Sequence, residues 1–198
     1  MTTKAAHGIL TFSGLLFDAT DPSPHDICLL DIEASLAKTN RFGGHTKAPY
    51  SVAQHCVLMS SRVPKEDRLW ALLHDATEAY IGDLPKPIKN ALPAFEDMEE
   101  RIMMVIARKY DLPWPMPQSV KDADIRMLLT EARDLFDDHP GFTPWREGFE
   151  PYEMTIHPWD WKTAQDRWSR AVAYAMFGRA TSSVVVPPPD AAWRSQRP

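Results

Sequence analysis

Four residues of this chain carry side chains suited to binding a divalent cation: His55, the adjacent pair His74 and Asp75, and Asp124. Imidazole nitrogens and carboxylate oxygens together form the donor set of borderline and hard metals, here Mg, Mn, Co, Fe or Zn according to supply. A lone inward histidine is most often a satisfied core residue. Here three separate segments each place an ionisable group among apolar positions, and burying such a group without a partner is costly. The pattern points to a cation held between helices.

Glu78 follows His74 by one turn and shares its face. A carboxylate there can orient or deprotonate an attacking water, or it can hold His74 in one tautomer; the first reading is favoured. Asp83 opens a proline-bearing segment and reads equally as a further active-site carboxylate or as a plain turn residue. Cations near such a site would bind phosphate. The candidates are Arg41 and His45 in a glycine-bearing segment, Lys86 and Lys89 between prolines, and Lys121 one turn before Asp124. Arginine offers phosphate a planar two-pronged contact, whereas lysine acts as a point charge. Each of these is equally natural as a solvated surface residue. Arg41 stands out because the loop around it has no core to serve.

Helices must position these groups. Ser51 reads as an N-cap, and Val52, His55, Cys56 and Met59 then follow the spacing of an apolar helical stripe. A second helix is expected over residues 65–81, with Trp70, Leu73, His74, Thr77, Glu78 and Ile81 on its inner face. The prolines of residues 83–89 predict a rigid, non-helical loop. A long helix follows, with Phe95, Met98, Ile102, Val105 and Ile106 on one face, ending before Pro113. Another over residues 119–136 places Asp124, Leu128, Glu131 and Leu135 on one side. The last, over residues 159–177, turns Trp168, Ala171, Val172 and Ala175 inward. Ahead of these, residues 8–17 read as a small hairpin around Ser13 and Gly14, and residues 32–38 as a short helix. Residues 18–26, 41–50 and 137–158 read as loops.

The 198 residues fit one domain, residues 1–180, followed by a proline-rich, extended or disordered tail, residues 181–198. With 44% apolar residues a packed core is affordable. A net charge of -5, with no basic stripe, argues against stable nucleic-acid binding. The two cysteines read as reduced thiols, and no segment has the length of a signal peptide or a membrane span, so a cytoplasmic location is expected. There is no Walker loop, no G-x-S-x-G elbow and no H-E-x-x-H.

The segments YSVAQH (residues 50–55), ALLHDATEAYIGDLPKPIK (71–89) and KDAD (121–124) resemble the H…HD…D signature of the HD-domain phosphohydrolases. ILTFSGLLFD (9–18), RFGGHT (41–46) and TEARDL (130–135) are similar to a phage and bacterial branch that includes deoxyribonucleoside 5′-monophosphatases and phage deoxyadenosine triphosphatases. The likeness spans residues 9–178. It implies an all-α fold, a compact HD-domain helical bundle of six or seven helices with a small N-terminal β-hairpin, assembling as a homo-oligomer. It implies His55, His74, Asp75 and Asp124 as metal ligands, Glu78 as the residue acting on the water, and Asp83 as a further active-site carboxylate. It also implies that Arg41 binds substrate. Phe42 stands where the monophosphatases carry tryptophan, a position that bears on the sugar. The motif HDATEA lacks the second acidic residue of the alarmone hydrolases. The expected activity is metal-dependent hydrolysis of deoxynucleotides, either triphosphates such as dATP or monophosphates. The alternatives are hydrolysis of another phosphate ester or a cyclic dinucleotide, and a non-catalytic nucleotide-binding module.

Overall fold

A computed structural model describes residues 8–137 and 148–178. The chain begins with an antiparallel hairpin, β1 (Ile9–Leu10) and β2 (Leu16–Phe17), and is otherwise helical: α1 (Leu29–Leu36), α2 (Val52–Ser60), α3 (Arg68–Leu73), α4 (Glu78–Ile81), α5 (Lys86–Lys89), α6 (Pro93–Lys109), α7 (Gln118–Leu135) and α8 (Trp161–Phe177). This is the expected all-α architecture with a small hairpin. The proline-rich tail and much of the expected loop before α8 lie outside the described residues.

The Ser51 hydroxyl accepts the Gln54 N–H at 3.2 Å and starts α2 as its sequence predicts. A single apolar stripe was expected, but nearly every residue of α2 is buried. The reason is its central position: it packs on α3 and α8 and also touches α1 and α7. A helix enclosed on all sides has no solvent face on which to leave a polar group unpaired. Gln54 is accordingly satisfied at both ends of its amide, donating to the His157 carbonyl and accepting from Trp159 N–H, each at 2.8 Å.

The helix expected over residues 65–81 is broken. A 3-10 turn (Lys65–Asp67) leads into α3, and the chain then tightens between α3 and α4. There Ala76 N–H bonds the Leu73 carbonyl, Glu78 the Asp75 carbonyl and Ala79 the Ala76 carbonyl, each three residues back. This is the tighter winding of a 3-10 segment. The Leu72 carbonyl, which Ala76 N–H would take in a continuous α-helix, instead accepts the indole N–H of Trp168 at 3.1 Å. The tight turn carries His74 and Asp75, so α8 holds the site's backbone through Trp168.

Trp168 is 1% exposed. Its replacement by alanine removes both the packing and the bond to Leu72, and is expected to destabilise the fold by about 3–5 kcal/mol. Urea unfolding measures this; a midpoint unchanged from wild type would mean that α8 does not brace the site.

Two further local features differ from expectation. Residues 83–89 are not wholly loop: α5 forms one turn there, because Pro85 caps it and Pro87 sits in its first turn, where no backbone N–H is needed. Gly82, at φ 80°, makes the sharp exit from α4 that a side-chain-bearing residue resists. The hairpin also serves the site. Phe17 stacks on Tyr80 of α4 at 4.1 Å, and buried Asp31 in α1 accepts the Ser13 N–H and hydroxyl at 2.6 and 2.9 Å.

Candidate metal centre

Three elements meet at one point. His55 comes from the middle of α2, His74 and Asp75 from the tight turn after α3, and Asp124 from the second turn of α7. His55 Nε2 lies 3.2 Å from His74 Nε2, 3.3 Å from Asp124 Oδ1 and 3.7 Å from Asp75 Oδ2. His74 Nε2 lies 3.2 Å from Asp75 Oδ2 and 3.8 Å from Asp124 Oδ1. Donor atoms about 2.0–2.2 Å from one ion stand roughly 2.9–3.6 Å from their neighbours; the three shortest separations fall in that range and the other two lie just above it, a spacing close to that of a shared cation.

The tautomers make the same point independently. His74 Nδ1 is 2.9 Å from the Ala71 carbonyl, which can only accept, so Nδ1 carries the proton. His55 Nδ1 donates to Glu131 Oε1 at 2.6 Å. Both neutral imidazoles therefore turn lone pairs toward each other and toward two carboxylates. Four electron-rich atoms at this spacing require positive charge between them, as a metal ion or as protons. The closest set, His55, His74 and Asp75, has its ligand atoms within 4.8 Å of one another and could hold a metal ion.

Protonation behaves accordingly. Burial pushes both imidazoles down, yet both rise above their ordinary pKa: for His74 the Asp75 carboxylate and bonds to Asp124 and Asp75 outweigh it. For His55, which Arg41 also depresses, Glu131 and Asp124 do so. Burial pushes Asp75 and Asp124 up, but the facing histidines hold both carboxyls below the usual range. A metal must displace these protons. Histidines whose folded pKa is raised contribute stability below the unfolded value near 6.5, and that stability is lost as pH rises through the folded value. The stabilisation given by a divalent cation should therefore grow as pH rises above the ordinary imidazole value near 6.5. Melting temperatures with and without Mn at each pH measure it, and a cation effect that shrinks with pH would contradict the ligand set.

The site is closed on its histidine side and open on its carboxylate side. The side chains of His55 and His74 are 0% and 4% exposed, and that of Asp124 is 44%. Glu78 opens α4 and is buried; burial and the charges of Asp75 and Asp83 raise its pKa well above the ordinary glutamate value. Its Oε2 has no hydrogen-bond partner among the described residues. Asp83 lies in the same electrostatic neighbourhood and is raised by burial, with Arg41 and Lys89 opposing. Lys89 pairs with Glu99 at 2.6 Å and approaches Glu78 at 3.9 Å.

Arg41 sits in a 3-10 turn (Arg41–Gly44) whose loop is closed by the Asn40–Ser51 bridge and tied to α7 by Lys47 N–H on the Leu135 carbonyl. Its guanidinium is engaged within the protein: Nη1 reaches Asp75 Oδ2, while Nε and Nη2 reach Glu131 Oε2, all at 3.1 Å. Each terminal nitrogen keeps a second N–H for an anion. Phe42 packs edge-on to Phe136 at 5.1 Å. His45, Lys86 and Lys121 are exposed. Cys56 Sγ lies 3.9 Å from His74 Nδ1, but burial raises its thiol to about 11, so it is no thiolate nucleophile at neutral pH.

Sequence reasoning missed Glu131. It is 0% exposed and bonded to both His55 and Arg41. The available signal was its place seven residues after Asp124, two turns along the same face of α7.

The fold and site together define a helical protein with a histidine–carboxylate centre fit for a divalent cation. No protein-family model matches the chain. It is 49% identical over 146 residues to the uncharacterized protein YfdR of Escherichia coli K12, a match spanning 74% of this chain and 82% of YfdR. It is also 34% identical over 141 residues to the uncharacterized protein RCAP_rcc00048 of Rhodobacter capsulatus, covering 66% of this chain and 72% of that protein. At this identity and coverage the chain belongs to the family of YfdR.

Proposed function

We propose that the protein is a metal-dependent phosphohydrolase of the HD-domain type that acts on deoxynucleotides. The observation that carries the reading is the convergence of two imidazole lone pairs, His55 Nε2 and His74 Nε2, with carboxylate oxygens of Asp75 and Asp124. A divalent cation bound there lowers the pKa of a water and neutralises phosphate charge. Glu78, a buried carboxyl with a raised pKa and an oxygen without a hydrogen-bond partner among the described residues, takes up the proton of the attacking water. Lys89 and the outward N–H groups of Arg41 hold the phosphate oxygens, with Phe42 beside them. The choice of deoxynucleotides rests on the likeness of RFGGHT and TEARDL to the phage and bacterial branch.

Release of phosphate, pyrophosphate and triphosphate from all deoxynucleoside mono- and triphosphates, with Mg, Mn and Co in turn, tests the proposal. Triphosphate release from a purine substrate defines a triphosphohydrolase, and phosphate release from monophosphates a 5′-nucleotidase. A cation-binding protein inactive across this panel would fail the deoxynucleotide reading, leaving other phosphate esters or a binding module.

A further inference from the structure

We infer that Glu131 is a positioning residue of the metal centre: it fixes the tautomer and direction of His55 and, through Arg41, the placement of Asp75. The inference rests on the metal-site part of the proposed function and not on any substrate.

A fully buried carboxylate needs compensating donors, and Glu131 has them on both oxygens. Oε1 accepts a hydrogen bond from His55 Nδ1–H at 2.6 Å; Oε2 accepts one from Arg41 Nε–H and pairs with Nη2, both at 3.1 Å. Arg41 Nη1 continues to Asp75 Oδ2 at 3.1 Å, and Asp75 Oδ2 returns to His55 Nε2 at 3.7 Å. Asp75, Arg41, Glu131 and His55 thus form a closed ring that joins the tight turn, the Arg41 loop, α7 and α2. Two of the candidate ligands are members of it.

The ring does chemical work in two ways. With a proton held on Nδ1 by a carboxylate, His55 presents Nε2 as a lone pair and as a stronger base toward a cation. The negative charge of Glu131 also offsets the guanidinium, which would otherwise repel a cation from beside Asp75. Glutamine fills the same space but cannot do both. If its carbonyl faces His55, its NH2 faces the Arg41 donors; if it flips, its NH2 meets Nδ1 and drives the His55 proton onto Nε2, where a metal must bind.

Mn and Co affinity of the full chain, measured by calorimetry in wild type and Glu131→Gln, tests this. The expected loss is about 10–100-fold, together with a lower melting temperature of the metal-free protein, because the buried Arg41 loses its carboxylate. The visible spectrum of the Co-loaded variant is expected to shift, which a purely structural role would not produce. Equal affinity and an unchanged Co spectrum in the variant would overturn the inference while leaving the metal site standing. If the wild type binds neither metal, the ligand set itself fails and this inference with it. Should the variant not fold, nitrogen-15 imidazole spectra of the metal-free wild type, at a pH where His55 is neutral, decide: Nδ1–H on His55 supports the inference, and Nε2–H refutes it.

Discussion

His74→Ala is expected to abolish cation binding and phosphate release together. His74 Nε2 stands within 3.8 Å of the three other candidate donors, so the substitution removes a ligand from the middle of the set. The loss should exceed the ~10–100-fold typical of a supporting hydrogen bond, because a coordinate bond itself is gone. What remains is His55 facing two carboxylates, one of them half-exposed and free to take up water instead. Calorimetric titration with Mn, beside phosphate release at saturating metal, measures both effects. A circular dichroism spectrum like that of wild type separates loss of the ligand from loss of the fold. Wild-type Mn affinity in this variant would remove His74 from the site altogether.

Much of this arrangement is legible in the sequence, because helices that bury one face repeat at 3.6 residues and donors on that face must point inward. His55 and His74 are buried as that rule expects, whereas Asp124 is half-exposed; the Ser51 cap and the hairpin around Gly14 form as read. The rule fails where hydrogen bonding changes without a change in composition. His74 and Thr77 keep right-handed helical dihedrals, and no proline or glycine marks the break. The break follows from Trp168, 96 residues away, competing for the Leu72 carbonyl. Glu131 was legible as a member of a face but not as a partner, since its contacts to His55 and Arg41 span 76 and 90 residues. Local periodicity finds which residues point inward; it does not find what they meet.

Glu78→Gln is expected to keep the cation and lose turnover by about 10²–10⁴-fold. The glutamate is one turn beyond His74 but is not among the donors that converge on the histidines; its Oε1 approaches Lys89 at 3.9 Å and its Oε2 has no partner among the described residues. A metal ligand would share the cluster's geometry, whereas a proton acceptor needs a raised pKa and an open oxygen. Glu78 has both, from burial and from its neighbours Asp75 and Asp83. The same raised pKa has a cost for the fold. Stability from a carboxyl raised in this way is present below the unfolded value near 4.5 and lost as pH rises through the folded value. The glutamine variant carries no such loss, so its melting temperature at neutral pH should equal or exceed that of wild type. Turnover, Mn affinity and melting temperature measured on one preparation separate the possible roles. Simultaneous loss of metal and turnover would make Glu78 a support for His74, and unchanged turnover would take it out of the reaction.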